Sequence, residues 1–137
     1  MSKQPDKVFA LYYRAARTNE IDTTLHLDNQ MHQLLQYARE HEISSFTLYA
    51  DIGYPGTTPD RPAYQEMLSS IHSGHVRAVI VHSTARIARD SVSLYQFLED
   101  AAQHDTAVRS IREGGDLMAE RETFAAIRSL MKGGALK

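Results

Sequence analysis

The chain has 137 residues, of which 42% are hydrophobic and 23% charged, and its formal net charge at pH 7 is −2. This length suits one globular domain with a single hydrophobic core. The absence of cysteine excludes disulfides, thiolate metal ligands and a cysteine nucleophile. No apolar segment approaches the roughly 20 residues of a membrane span, and the first seven residues are polar, so we expect a cytoplasmic domain without a membrane partner.

The basic residues are mostly arginine. Arginine accounts for eleven of the fifteen cations, and its planar guanidinium binds phosphate through two parallel hydrogen bonds. The net charge is nevertheless too low for a protein that binds nucleic acid over a broad basic surface. The composition therefore favours a local phosphate or oxyanion site.

Apolar segments and helical patterns alternate along the chain. The apolar segment that begins at Val8 predicts a buried strand whose carboxyl end leads to Arg14 and Arg17. A polar loop is predicted over 18–24, helices over 25–42, 62–73, 91–104 and 120–131, and further strands over 46–50, 78–81 and 107–111. Asp60 is a candidate N-cap for the second helix, and Gly74 is expected to end it.

This alternation predicts an α/β fold. We expect three layers, with a mostly parallel sheet of four or five strands flanked by helices, in one domain that spans residues 1–137. Ligands of such folds bind beyond the carboxyl ends of the strands.

Four arginines fall in loops or at predicted strand ends, namely Arg14, Arg61, Arg86 and Arg89. Guanidinium groups that cluster repel one another unless an anion lies among them. The pattern therefore indicates a phosphate or sulfate site. The alternative is that the four are unrelated surface residues.

Four motifs follow one another in a definite order, and they read ALYYR (10–14), DNQ (28–30), YADIGYPGTTPDRP (49–62) and RIAR (86–89). In order and spacing they resemble the catalytic domain of the serine recombinases, the resolvase and invertase family. The resemblance implies attack of a serine hydroxyl on a DNA phosphodiester, with no metal or other cofactor. It also implies a homodimer that becomes a tetramer during strand exchange.

The resemblance assigns roles to six residues of this chain. It places the scissile phosphate among the side chains of Arg14, Arg61, Arg86 and Arg89. Asp51 is expected to hold these arginines in position, and Gln30 is expected nearby as a supporting polar group.

The chain departs from the family pattern at the nucleophile. Ala16 occupies the position of the attacking serine, and a methyl group cannot attack phosphorus. Thr18 is displaced by two residues, or roughly 6 to 7 Å along an extended chain, and Tyr12 and Tyr13 are better explained as structural residues. The chain as written is therefore expected not to cleave DNA. Further departures are Arg17 for a small hydroxyl residue, Pro55 for serine and Ala85 for an acid.

Two explanations of Ala16 remain open. It is either an engineered replacement of serine in a recombinase or a natural loss in a homologue that acts as a DNA-binding or dimerisation module. A protein that binds a small phosphorylated ligand is a third, weaker alternative. We expect the final helix at 120–131 to be short, with no DNA-binding domain after it.

Histidine spacing raises the question of a metal site. His72 and His75 are spaced like ligands, but we interpret them as solvated residues at a helix end and in the following turn. Because neither an acidic residue nor a third histidine is evident beside them, the sequence predicts no metal site.

Overall fold

The computed structural model describes residues 7–15, 20–53 and 60–117, and strands and helices alternate in this part of the chain. The elements are β1 (Val8–Ala15), α1 (Glu20–Glu40), β2 (Phe46–Ile52), α2 (Pro62–His72), β3 (Val76–Val81), a short 3₁₀ helix (Thr84–Arg86), α3 (Ser91–Gln103), β4 (Ala107–Ser110) and β5 (Gly115–Asp116). The helix predicted over 120–131 lies outside the described residues. None of the helices in the described ranges combines the length and the apolar character that crossing a bilayer requires.

The strands form one sheet in the order β2-β1-β3-β4-β5. The first four strands are parallel, and the two-residue β5 pairs antiparallel with β4. The predicted α/β fold with a mostly parallel sheet is confirmed. Because β1 lies between β2 and β3, the chain reverses its direction of strand addition at β1, and such a switch point is where open α/β sheets bind ligands.

Alternate residues of β1 point to opposite faces of the sheet and build two cores. Ala10 and Tyr12 pack in a cluster with buried residues of α2 and α3. Leu11 and Tyr13 pack in a second cluster with buried residues of α1. The sheet is therefore the middle of three layers, as the sequence predicts.

Helix α1 begins earlier than its pattern indicates. The polar loop predicted over 18–24 is wrong for 20–24, because the helix starts at Glu20. Residues 20–40 contain no glycine or proline, so no strong helix breaker interrupts this segment. The DNQ motif at 28–30 therefore lies in the middle of the helix and not at its start.

The amino end of α2 is capped from another element. The prediction that Asp60 caps this helix is wrong, because the N-cap position is Arg61 and its side chain makes no capping hydrogen bond. The carboxylate of Asp51, at the end of β2, accepts hydrogen bonds from the backbone N–H groups of Ala63 (2.8 Å) and Tyr64 (2.9 Å). The end of β2 and the start of α2 are thereby joined.

Gly74 ends α2 as predicted, with a backbone φ of +78°. A Cβ at this position meets no atom within 4 Å, so an alanine strains only the backbone. We expect Gly74→Ala to lower the free energy of unfolding by about 1 kcal/mol. Urea denaturation measures the change, with Ser73→Ala as the control because Ser73 has an ordinary φ of −82°. Equal stability of the two variants would contradict a strained turn.

Candidate functional site

Two arginines converge on the main chain of the 3₁₀ helix that follows β3. Arg14, near the carboxyl end of β1, donates from Nη2 to the carbonyl of Ala85 (2.9 Å) and from Nε to that of Arg86 (3.4 Å). Arg61 donates from Nη1 to the carbonyl of Arg86 (3.0 Å) and from Nη2 to that of Ile87 (2.7 Å). The guanidiniums of Arg14 and Arg61 are thus held side by side by three successive carbonyls.

A buried tyrosine connects Arg61 to Asp51. The Arg61 guanidinium donates to the hydroxyl of Tyr12 (3.1 Å), and this hydroxyl donates to Oδ2 of Asp51 (2.8 Å). The guanidinium also lies 4.0 Å from the centre of the Tyr64 ring, in a cation–π contact. Asp51 therefore contributes to the position of Arg61 through Tyr12, and it anchors the helix that begins next to Arg61.

The main chain of Arg14 connects two further predicted site residues. Its carbonyl accepts hydrogen bonds from Nη1 of Arg86 (3.1 Å) and from Nε2 of Gln30 (3.2 Å). Gln30 is 2% exposed, and its Oε1 has no hydrogen-bond partner within the described ranges. Gln30 thus lies beside the arginines, with an acceptor oxygen available at a buried position.

The guanidiniums influence one another electrostatically. Burial and the positive charges of Arg86 and Arg61 lower the pKa of Arg14 to about 10, and Arg89 contributes further. Burial and the charge of Arg89 lower the pKa of Arg86. Because arginine side chains stay protonated at pH 7 in proteins, positive charges lie close together here, and such a cluster favours a bound anion.

The tyrosines of β1 have structural positions. The Tyr12 hydroxyl is enclosed between Arg61 and Asp51, and burial raises its pKa. Tyr13 points to the opposite face of the sheet, into the core beneath α1. Because a nucleophilic phenol must be accessible and deprotonated, neither tyrosine is suited to act as a nucleophile.

Arg89 and Glu113 complete the surroundings of the 3₁₀ helix. Arg89 is exposed, unlike Arg14 and Arg61, which are 1% and 2% exposed. Glu113 accepts hydrogen bonds from the backbone N–H of Thr84 (3.2 Å) and from the hydroxyl of Ser110, so it braces the start of the 3₁₀ helix. Sequence reasoning missed Glu113, because a lone acidic residue in a turn carries no motif.

Several predicted positions lie outside the described residues. They are the nucleophile position Ala16, its neighbours Arg17 and Thr18, and Pro55 in the loop before Arg61.

A family model described as "Resolvase, N terminal domain" matches residues 9–133. The chain belongs to the resolvase family. The membership first indicated by four short motifs is thereby confirmed, and the serine-recombinase type of catalytic domain is the fold observed here. No curated protein sequence matches the chain.

Solved structures share the fold of this resolvase-family domain. The N-terminal catalytic domain of TP901-1 integrase superimposes with a TM-score of 0.77 and 24% identity, over 94% of this chain and 96% of that chain. A resolvase family site-specific recombinase from Streptococcus pneumoniae gives 0.72 and 19% identity, over 95% and 91%. A serine recombinase from Sulfolobus solfataricus gives 0.63 and 22% identity, over 77% and 69%.

Proposed function

We propose that this domain binds a DNA phosphodiester among Arg14, Arg61, Arg86 and Arg89 and that, with Ala16 at the nucleophile position, it does not cleave the strand. The observation that carries the proposal is the gathering of Arg14, Arg61 and Arg86 around the carboxyl ends of β1 and β3. Backbone carbonyls accept hydrogen bonds from these guanidiniums and hold them in place. Positively charged groups that are gathered in this way favour an anionic ligand.

The arginines divide into two groups by exposure. Arg14 and Arg61 are buried and bonded to carbonyls, so they form the base of the site. Arg86 is partly buried and Arg89 is exposed, so these two are the better placed to reach a phosphate from solvent. In the family reaction such a cluster neutralises the charge that develops on the pentacoordinate phosphorus.

The missing step is the attack itself. In serine recombinases the serine oxygen forms a bond to phosphorus while the bond to the departing sugar oxygen breaks. Ala16 offers no oxygen, so the arginines can bind and polarise the phosphodiester but no phosphoserine forms. The codon at position 16 of the source gene distinguishes an engineered replacement from a natural loss.

A second candidate function is that of a naturally non-cleaving homologue that binds DNA or mediates dimerisation. It is favoured by the same combination, an ordered arginine cluster in a chain with alanine at the nucleophile position. The homodimer implied by the resemblance remains a prediction.

DNA binding by this cluster can be tested at its exposed arginine. We expect Arg89→Gln to weaken binding of duplex DNA severalfold at low salt and to reduce the slope of log affinity against log salt by about 1. Fluorescence anisotropy at several salt concentrations measures both. The matched control is Arg77→Gln, which removes the same charge from an exposed position at the amino end of β3. Equal losses in the two variants would contradict the proposed site and indicate a diffuse charge effect.

A further inference from the structure

Three potential metal ligands meet where α2 and α3 end. His72 is the last residue of α2, Asp100 lies in the last turn of α3, and His104 is the C-cap of α3. Each of the three offers one ligand atom, and these three atoms all lie within 4.8 Å of one another. Asp100 and His104 are four residues apart on one helix, a spacing that places both side chains on the same face.

The contacts among the three residues are direct. Nε2 of His72 lies 2.6 Å from Oδ2 of Asp100. Nδ1 of His104 lies 3.6 Å from Oδ1 of the same carboxylate and 2.9 Å from the backbone carbonyl oxygen of Asp100. The two imidazole rings are 4.9 Å apart between their centres. The side chains are 49%, 33% and 32% exposed for His72, Asp100 and His104, so an ion can reach them from solvent.

From this geometry we infer that His72, Asp100 and His104 form a zinc site. Imidazole nitrogen and carboxylate oxygen are both established zinc ligands, and three protein ligands leave the fourth tetrahedral position to water. Ligands about 2.0 to 2.2 Å from a tetrahedral zinc ion are separated from one another by about 3.3 to 3.6 Å. The 2.6 Å contact between His72 and Asp100 must therefore widen by about 0.7 to 1.0 Å, which exposed side chains can accommodate by rotation.

The zinc site is separate from the arginine cluster. His72 lies shortly before the amino end of β3, and His104 lies shortly before the amino end of β4. The arginines lie near the carboxyl ends of the strands, and therefore at the opposite end of the parallel strands. A zinc ion at this position joins the ends of two helices that pack on one face of the sheet, so we expect it to stabilise the fold and not to take part in phosphodiester chemistry.

The cluster is not evident in the sequence because the partners of His72 are distant along the chain. Asp100 is 28 residues further on, and only the packing of α2 beside α3 brings it close. The expectation that His72 lacks an acidic or histidine partner is therefore wrong. His75, the neighbour first considered, is not in the cluster.

The test is a zinc titration of the full chain after treatment with a chelator, with a chromophoric chelator as competitor. We expect one zinc ion per chain and a melting temperature that rises with zinc concentration. His72→Gln and His104→Gln should each weaken zinc binding by at least about tenfold and remove the thermal shift. The matched control is His75→Gln, an exposed histidine three residues from His72, which should bind zinc like the original chain.

Cobalt provides a second readout that does not depend on the variants. Co²⁺ in a tetrahedral site absorbs visible light much more strongly than hydrated Co²⁺, and zinc should abolish the absorption by displacement. Circular dichroism of the variants confirms that the helices persist. The inference is overturned if His72→Gln and His104→Gln bind zinc as tightly as His75→Gln, or if the original chain shows neither the cobalt absorption nor the thermal shift. Either result would leave the three residues as a hydrogen-bonded contact between helices.

Discussion

Ala16→Ser is expected to change the chain from one that forms no covalent complex with DNA to one that is linked to it through a phosphoserine. The arginines that we propose to bind the phosphate are already gathered around the end of β1, and Arg14 is two residues before position 16. The substitution supplies only the attacking oxygen. Loss of a catalytic nucleophile costs on the order of 10⁶-fold in rate in well-studied hydrolases, so its return should have an effect that is easily seen.

The adduct can be measured with suicide substrates, in which a nick lets the cleaved end diffuse away and traps the complex. Denaturing electrophoresis then separates the linked protein from the free chain. Ala15→Ser is the matched control, because it introduces the same hydroxyl one residue earlier, and we expect no adduct from it. Absence of an adduct from Ala16→Ser with every recombination-site DNA tested would contradict a retained cleavage apparatus and favour the non-cleaving homologue.

Asp51→Ala is expected to cause the largest loss of stability among the substitutions considered. Asp51 is 2% exposed, and it accepts hydrogen bonds from the N–H groups of Ala63 and Tyr64 and from the hydroxyl of Tyr12. Alanine leaves these three donors without their acceptor, and each buried group without a partner costs about 1–3 kcal/mol. We expect the free energy of unfolding to fall by about 3–5 kcal/mol, a large part of the stability of a typical domain.

Urea denaturation measures this loss. Glu66→Ala is the control, because it removes a carboxylate from an exposed position of α2 and should change the stability by less than about 0.5 kcal/mol. Asp51→Asn should be intermediate, since it keeps one acceptor oxygen. If Asp51→Ala is as stable as Glu66→Ala, Asp51 does not join β2 to α2 in the way described.

The sequence predicted the elements that depend on local patterns. The apolar segment that begins at Val8 indicated correctly that β1 is buried, and the helical patterns over 62–73 and 91–104 indicated α2 and α3. The early start of α1 was missed because its first turn is polar and lacks periodicity. Apolar periodicity identifies a helix by the face that it buries, and it gives no signal where a helix begins with polar residues.

The residues of the candidate site were named from the sequence, but the hydrogen bonds among them were not predicted. The positions of Arg14, Arg61 and Arg86 in the sequence followed from their motifs. The contacts of Arg14 and Arg61 with three carbonyls, and of Arg86 with the carbonyl of Arg14, did not. The direction of a carbonyl depends on the local path of the main chain, which the identity of a side chain does not specify. The capping of α2 by Asp51 was not predicted either, because Asp51 lies 12 and 13 residues before the N–H groups that it caps and only the fold brings them together.

The contacts with the carbonyls determine which sequence changes leave the arrangement of the arginines intact. Ala85, Arg86 and Ile87 hold the guanidiniums of Arg14 and Arg61 with atoms that every amino acid possesses. Substitution of the Ala85 side chain is therefore expected to leave these hydrogen bonds intact. Insertion or deletion of one residue between β3 and α3 would redirect all three carbonyls. We therefore expect the arrangement of the arginines to tolerate changes of side chain in this segment but not changes of its length.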